Sequence, residues 1–299
     1  MPGYAAGWYL VAFEKSLGKE LSPAAVGARR LLLVANRGTV RAFNADCPHR
    51  GAHLALGGCL RDGRVVCPFH GYSIRLGARA GEKLSVAEYP TLVAGGMVFV
   101  RLSEGHDHGW KDQAALLDGG YWCFNGIEMT VQAPMDLVIE NAFDRLHFRS
   151  VHGIDNEEFD VTRGPSDELE VNGTFHIPIR TTRPNESMQK KPTKYWGIAI
   201  SPGLAMTELA GDVPYRIITG ATDQPDGSCV VRVTVAFARS ACAAAPGPEF
   251  VEPLLQYFRR GLEQDRVMWE SRAEGHAPCW MPEDESVRQF QGFCDTFRN

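Results

Sequence analysis

Two short stretches hold the residue types that bind metals. Cys47-Pro48-His49 reads C-x-H, and Cys67-Pro68-Phe69-His70 reads C-x-x-H. Thiolate and imidazole are soft and borderline ligands, suited to zinc and to iron–sulfur clusters. Two Cys and two His admit a structural zinc. They also admit a [2Fe–2S] cluster with two Cys on one iron and two His on the other. The order of the ligands separates the two. A zinc finger pairs like with like, Cys with Cys and then His with His. Here each loop offers one of each, so each loop can give one ligand to each iron. Pro48 and Pro68 fix φ in the two loops, and Gly51 and Gly71 let the backbone turn closely behind the ligands.

A second constellation lies downstream. Asn141, Asp144 and His147 stand three residues apart in an otherwise apolar run of Leu137, Val138, Ile139, Ala142, Phe143, Leu146 and Phe148. The run predicts one helix from Pro134 to Val151, with Pro134 in a first turn and Asp136 and Glu140 towards its positive end. On such a helix the three polar residues share a face, and buried polar groups need partners or a metal. His152 follows His147 by five residues. Both imidazoles reach one ion only if the helix bends or ends there, and Gly153 favours an ending. Two neutral imidazoles and a carboxylate make the facial triad of non-heme Fe(II) sites. The carboxylate must come from elsewhere. A helix over 253–272 places Leu255, Phe258, Leu262, Asp265 and Trp269 on one buried stripe. Asp265 is therefore the expected third ligand and Asp284 the alternative. Neutralisation of Asp265 by Arg259, Arg266 or Arg272 is the competing reading.

These residues need scaffolds. Residues 8 to about 103 alternate in short runs (Trp8–Phe13, Arg30–Ala35, Val40–Asn44, Val65–Val66, Met97–Leu102) between turns rich in Gly, Pro and Asn. That pattern predicts a small all-β unit with the two Cys/His loops at its tip. Ser103 to Gly109 is polar and reads as a linker, with His106 and His108 as solvated surface residues. Beyond residue 120, strand-like runs at Glu168–Phe175, Ile177–Thr182, Tyr195–Ile200, Met206–Ala210, Tyr215–Thr222 and Cys229–Ala238 suffice for one large antiparallel sheet. The expected fold is α+β: residues 1–109 an all-β cluster domain, and 110–299 a catalytic domain with helices flanking a sheet.

Bulk properties narrow the function. The chain has 299 residues, 44% of them hydrophobic, enough for two domains and a sizeable core. Its net charge of −5 comes without a basic stripe, which argues against nucleic acid as a partner. The apolar stretch Thr91–Val100 is too short to span a bilayer, and Met-Pro-Gly-Tyr does not read as a signal segment. A cytoplasmic protein is expected. Cys59, Cys123, Cys229, Cys242, Cys279 and Cys294 are then idle thiols of a reducing compartment rather than disulfide partners.

Trp8-Tyr9-Leu10-Val11-Ala12, Cys47-Pro48-His49-Arg50-Gly51-Ala52 and Cys67-Pro68-Phe69-His70-Gly71 resemble the N-terminal domain of the Rieske non-heme iron oxygenases. Asn141-x-x-Asp144-x-x-His147-x4-His152 resembles the second signature of the same family. The resemblance covers essentially the whole chain. It implies a Rieske [2Fe–2S] cluster on Cys47, His49, Cys67 and His70, and mononuclear Fe(II) on His147, His152 and Asp265. It also implies that Asp144 joins His70 of a neighbouring subunit to His147, and hence a head-to-tail homotrimer. Asn141 belongs to the same catalytic signature. The Glu140 to Gly153 segment looks most like the oxygenase components of ketosteroid hydroxylases and the cholesterol 7-desaturases.

The activity implied is that of a terminal oxygenase. It takes O2, and electrons relayed through the cluster, to hydroxylate a hydrophobic small molecule of steroid-, terpenoid- or other natural-product-like kind. Monooxygenation is expected rather than ring dioxygenation. Desaturation and O- or N-demethylation start from the same centre. The chain shows no Gly-rich dinucleotide fingerprint. A separate NAD(P)H-dependent reductase is therefore implied, alone or with a ferredoxin. The readings from other classes are a non-catalytic Rieske electron carrier and a zinc-binding interaction module.

Overall fold

The computed structural model describes residues 3–18, 20–36, 38–178, 190–242, 244–273 and 275–298. Eleven strands precede the first helix: β1 Trp8–Phe13, β2 Leu21–Val26, β3 Arg29–Asn36, β4 Thr39–Asn44, β5 Cys59–Arg61, β6 Arg64–Val66, β7 Ser73–Leu76, β8 Ser85–Val86, β9 Glu88–Tyr89, β10 Thr91–Ala94 and β11 Met97–Arg101. Among the described residues they form three small sheets, ordered β1-β11-β10, β2-β3-β4-β9 and β5-β6-β7-β8. The Cys47 loop joins β4 to β5, and the Cys67 loop joins β6 to β7. Leu32, Phe43, Leu54, Val65 and Ile74 are buried behind both loops and pack around the two Cys. The all-β expectation holds. The strands missed from sequence are mostly the shortest ones, whose two to four residues give little alternation to read.

After α1 (Trp110–Gly120) the chain builds β12 (Tyr121–Val131), α2 (Met135–Glu140), α3 (Arg145–His152), β13 (Asn156–Arg163), β14 (Leu169–Pro178), β15 (Lys190–Ser201), β16 (Leu204–Ala210), β17 (Tyr215–Asp223) and β18 (Cys229–Ala238). It closes with α4 (Pro248–Glu270) and α5 (Glu285–Asp295). The seven strands make one antiparallel sheet in the order β12-β18-β17-β16-β15-β14-β13. Strand β18 is buried along almost its whole length, because both faces of the sheet are covered. The separate strand expected at Ile177–Thr182 does not begin there. β14 runs unbroken through Phe175, His176 and Ile177 against Thr193, Pro192 and Lys191, and residues 179–182 lie outside the described residues.

The two halves meet closely. Ser201 Oγ donates to the Trp8 carbonyl at 2.6 Å. A Cβ at Gly220 of β17 would collide with Leu10 of β1. On the other side α4 lies over β12, where the ladder slips between Asn125 and Ile127 and Gly126 leaves room for Leu255.

His108 is not solvated, contrary to expectation, and His106 is half-buried. His108 is buried, its Nδ1 lies 3.1 Å from the Ser166 carbonyl oxygen, and both rings pack on Phe297 at the C-terminal end of the chain. Positive φ at both residues turns the linker inward. The docked C-terminal segment supplies apolar cover that a polar linker sequence does not announce. Among the described residues, no helix is long and apolar enough to cross a membrane.

Candidate functional site

The two Cys/His loops share one backbone frame. Gly51 N–H donates to the Cys47 carbonyl at 2.8 Å, and Gly71 N–H to the Cys67 carbonyl at 3.0 Å. Cys47 N–H donates to the Ala52 carbonyl at 2.9 Å, and Cys67 N–H to the Tyr72 carbonyl at 2.8 Å. Gly51 and Gly71 adopt φ of 73° and 71°, a region that costs glycine little. Within this repeated frame the His stands at the third position of one loop and the fourth of the other.

Both thiols are buried and within hydrogen-bond reach of each other. Burial pushes the Cys47 thiol up. Burial also acts to raise Cys67, but the N–H groups of Phe69 and His70 and the Cys47 side chain outweigh it and hold that thiol lower. The two imidazoles are exposed, their centroids 4.8 Å apart in an edge-on arrangement. Sulfur ligands inside and imidazoles at the surface fit a cluster with one all-sulfur iron and one histidine-bound iron. Arg30 anchors the frame from β3, donating to the Gly51 carbonyl at 2.8 Å and pairing with Asp46. Sequence reading did not single it out, because its partner is a backbone carbonyl with no side-chain signature.

The second centre rests on a break in the chain. The single helix expected from Pro134 to Val151 is three pieces: α2, a 3-10 turn over Asn141–Phe143, and α3. Asp144 is extended, with φ −100° and ψ 97°, and caps α3. Its Oδ1 accepts from Leu146 N–H and His147 N–H, both at 3.0 Å. Asp is a strong N-cap and competes with a continuous helix for these donors. Asn141, Asp144 and His147 therefore do not share one helix face. The i, i+3 spacing that predicts a stripe here marks a cap.

Restarting the helix at Arg145 puts His152 in its last turn, and Gly153 closes it with φ 67°. The ending suspected at Gly153 is thus present, and it folds the two imidazoles together. His147 Nε2 and His152 Nε2 are 3.0 Å apart, and Asp265 Oδ1 lies 3.1 Å from each. Asp265 is buried on α4, on the stripe that sequence spacing predicted. Among the described residues its Oδ1 has no partner of hydrogen-bond geometry. Cis ligands of an octahedral ion held at about 2.1 Å stand about 3.0 Å apart. Three donor atoms with edges of 3.0 to 3.1 Å match one face of such an octahedron, so the three side chains could hold such an ion.

Electrostatics agree with this arrangement. Burial would raise the Asp265 carboxyl, but the two imidazoles hold it below the usual carboxylate range. Burial acts to lower His152, and the Asp265 carboxylate outweighs it, with help from Gln264. The ligand atoms of these three all lie within 4.8 Å of one another, so they could together hold a single metal ion. Asp284 is not part of this group. Its Oδ2 accepts from Met281 N–H at 2.8 Å at the start of a 3-10 turn.

Neighbouring residues complete the site. Asn141 Oδ1 lies 3.4 Å from Trp269 Nε1, one turn beyond Asp265, and Asn141 Nδ2 is buried without a partner among the described residues. Phe148 lies against both imidazoles and against a stack of Phe159, Phe175 and Tyr195 from the sheet. The Tyr195 hydroxyl donates to the Ala142 carbonyl at 3.0 Å, tying that stack to the broken helix. Gln264, next to Asp265, places Oε1 3.2 Å from His152 Nδ1.

Known proteins bear on both halves. Residues 7–90 match the Rieske [2Fe-2S] domain family. Residues 101–297 match the 3-ketosteroid 9alpha-hydroxylase C-terminal domain family. The chain is 26% identical to a cholesterol 7-desaturase of Bombyx mori, over 99% of this chain and 70% of that protein. It is 28% identical to a probable 3-ketosteroid-9-alpha-monooxygenase oxygenase component of Rhodococcus rhodochrous, over 50% of this chain and 41% of the relative. Dicamba monooxygenase bound to dicamba superposes with a TM-score of 0.72 at 18% identity, covering 97% and 96% of the two chains. At that identity the likeness speaks for the fold alone.

Proposed function

Since this chain belongs to the Rieske non-heme iron oxygenases, with a catalytic domain of the 3-ketosteroid 9alpha-hydroxylase family, we propose that it monooxygenates a rigid, hydrophobic substrate of steroid-like shape. The observation that carries the reading is the triangle of His147 Nε2, His152 Nε2 and Asp265 Oδ1, in a chain whose other half presents two matched Cys/His loops. A [2Fe–2S] cluster supplies single electrons, and a mononuclear iron supplies the dioxygen chemistry. In this reading residues 1–109 form the cluster domain and residues 110–299 the catalytic domain.

The chain's own residues do the rest. Cys47 and Cys67 hold one cluster iron from the buried side, and His49 and His70 hold the other at the surface. His147, His152 and Asp265 hold the mononuclear iron. Gly153 ends α3 and so brings the imidazoles onto one point. Asn141 keeps Trp269 and the α4 stripe against the site. Phe148, Phe159, Phe175 and Tyr195 make an apolar wall beside the imidazoles, suited to excluding water and to flat hydrocarbon surface. The steroid class rests on this wall and on the names of the relatives.

Electron delivery in this reading needs a second copy. Among the described residues His147 Nδ1 has no partner, and Asp144 spends Oδ1 on the cap of α3. Asp144 Oδ2 is then available to join His147 to the exposed His70 of a neighbouring subunit in a head-to-tail trimer, orienting both imidazoles. Two features support this. Leu56, Phe69 and Tyr72 are exposed beside His49 and His70, and Leu146, Val267 and Met268 beside the other centre. Residues 1–109 carry an excess of Lys and Arg, and residues 110–299 an excess of Asp and Glu, so opposite charges meet head to tail. A separate NAD(P)H-dependent reductase, alone or with a ferredoxin, would feed the cluster. The cysteines are all free, which suits the cytoplasm, where such a reductase and its nucleotide are present.

The test is a single turnover. The protein is reduced chemically and mixed with O2 and a panel of sterols, terpenoids, alkaloids and aromatic acids, and product mass is read. A gain of one oxygen is expected. Desaturation is the second reading, favoured by the desaturase that aligns over 99% of the chain, and it would appear as loss of two hydrogens. Loss of a methylene would mean demethylation. No product, with no iron beyond the cluster's two, would overturn the reading in favour of an electron carrier.

A further inference from the structure

The two imidazoles of the mononuclear centre are held differently. His152 Nδ1 faces Gln264 Oε1 at 3.2 Å, whereas His147 Nδ1 has no partner among the described residues. Gln264 and Asp265 are consecutive on α4, so one turn of that helix presents both a carboxylate and an amide to His152. An amide oxygen can only accept, so Nδ1 must carry the proton and Nε2 must present its lone pair to the centre. The ring cannot flip without losing this bond. Gly261, one turn earlier on α4, lies against the same ring: a Cβ there would stand 3.7 Å from His152 Cε1.

From this we propose that Gln264 is a positioning residue of the mononuclear centre, which fixes the tautomer and the ring plane of His152. The proposal rests on the reading of His147, His152 and Asp265 as metal ligands. Partners of this kind raise ligand basicity, and removing them costs roughly 10- to 100-fold in metal affinity. One face of the centre is thus locked from within the chain, and the other is left open at His147 for the electron-delivering contact. Gln264 is itself exposed, so changing it disturbs little packing.

The test uses full-length protein with its cluster intact and the mononuclear site cleared by a chelator. Co(II) is titrated into wild type, Gln264→Leu and Gln264→Glu, and affinity and the ligand-field spectrum are read. Gln264→Leu is expected to bind roughly 10- to 100-fold more weakly with an altered spectrum, while cluster absorption and Tm stay at wild-type values. Gln264→Glu retains an acceptor and should bind at least as tightly as wild type. Equal affinity and spectrum in wild type and Gln264→Leu would overturn the proposal. So would equal loss in both variants, which would assign the effect to side-chain shape and not to the acceptor. If wild type itself binds no Co(II) beyond the cluster domain, the ligand assignment fails, and this proposal with it.

Discussion

Replacing Asp144 by Asn and by Ala separates two duties of one side chain. Oδ1 accepts from Leu146 N–H and His147 N–H at the start of α3. The other duty, joining His147 to a neighbouring cluster, belongs to the proposed function. Asn is nearly as good an N-cap as Asp, and Ala is a poor one, costing about 1 kcal/mol with a range of about 0.5 to 2. For a chain of this size that is a fall in Tm of about 1 to 3 °C for Asp144→Ala, with Asp144→Asn close to wild type. Asn keeps the cap but loses the charge that, in the proposed function, would hold two imidazoles through their N–H groups. Both variants should therefore lose turnover by at least roughly tenfold, while keeping cluster colour and iron content. The assay is stopped-flow reoxidation of the reduced cluster on mixing with O2 and substrate, beside steady-state turnover with the reductase. Normal turnover in Asp144→Asn would refute the bridging role. Equal Tm in the two variants would refute the cap.

Asp265→Ala is expected to lose mononuclear iron while the cluster's visible absorption persists, checked by iron content per chain. Unchanged iron would refute Asp265 as a ligand. Burial raises Glu140 from 4.5 to about 7, and raises Asp223 from 3.8 to about 6. The folded state keeps these protons where the unfolded chain has released them, so their contribution is full below the unfolded pKa values and is lost as pH rises through about 6 and 7. Glu140→Gln keeps an acceptor for Gln291 and should add about 1 to 3 kcal/mol at pH 8 and little at pH 4. Denaturant midpoints at the two pH values check this, and a gain independent of pH would contradict it. Gly220→Val forces a side chain against Leu10 at the junction of the halves. It should cost about 1 to 3 kcal/mol or more, read as a lower Tm, and no change would mean that the contact between β1 and β17 is loose.

Much of the site was legible because it is local. A Cys and a His within three or four residues fix their own frame once Pro and Gly set the turn, and both loops then repeat the same hydrogen bonds. Strand β1 matched its predicted bounds because a uniform apolar run needs no partner to be recognised. Asp265 was found by periodicity, since a 23-residue helix lying on a sheet must turn one stripe inward.

The misses share a different cause. The spacing predicts one helix where the chain breaks, because the same three-residue spacing describes a helix face and a cap followed by its first turn. Only the donors that Asp144 Oδ1 accepts distinguish the two. His108 is buried because the C-terminal segment docks on the linker, a contact between regions far apart in the chain. Gln264 looked like a surface residue, and it acquires a role only when α4 is laid beside the end of α3. The amino-acid sequence by itself determined the ligand types, the cluster loops, strands β14 to β18 and the buried stripe of α4. These follow from short-range backbone geometry and from hydrophobic period. The tertiary structure decided that His147, His152 and Asp265 meet with edges of 3.0 to 3.1 Å, and which nitrogen of His152 faces the centre. Those distances are set by where two helices cross, which no residue on either helix determines alone.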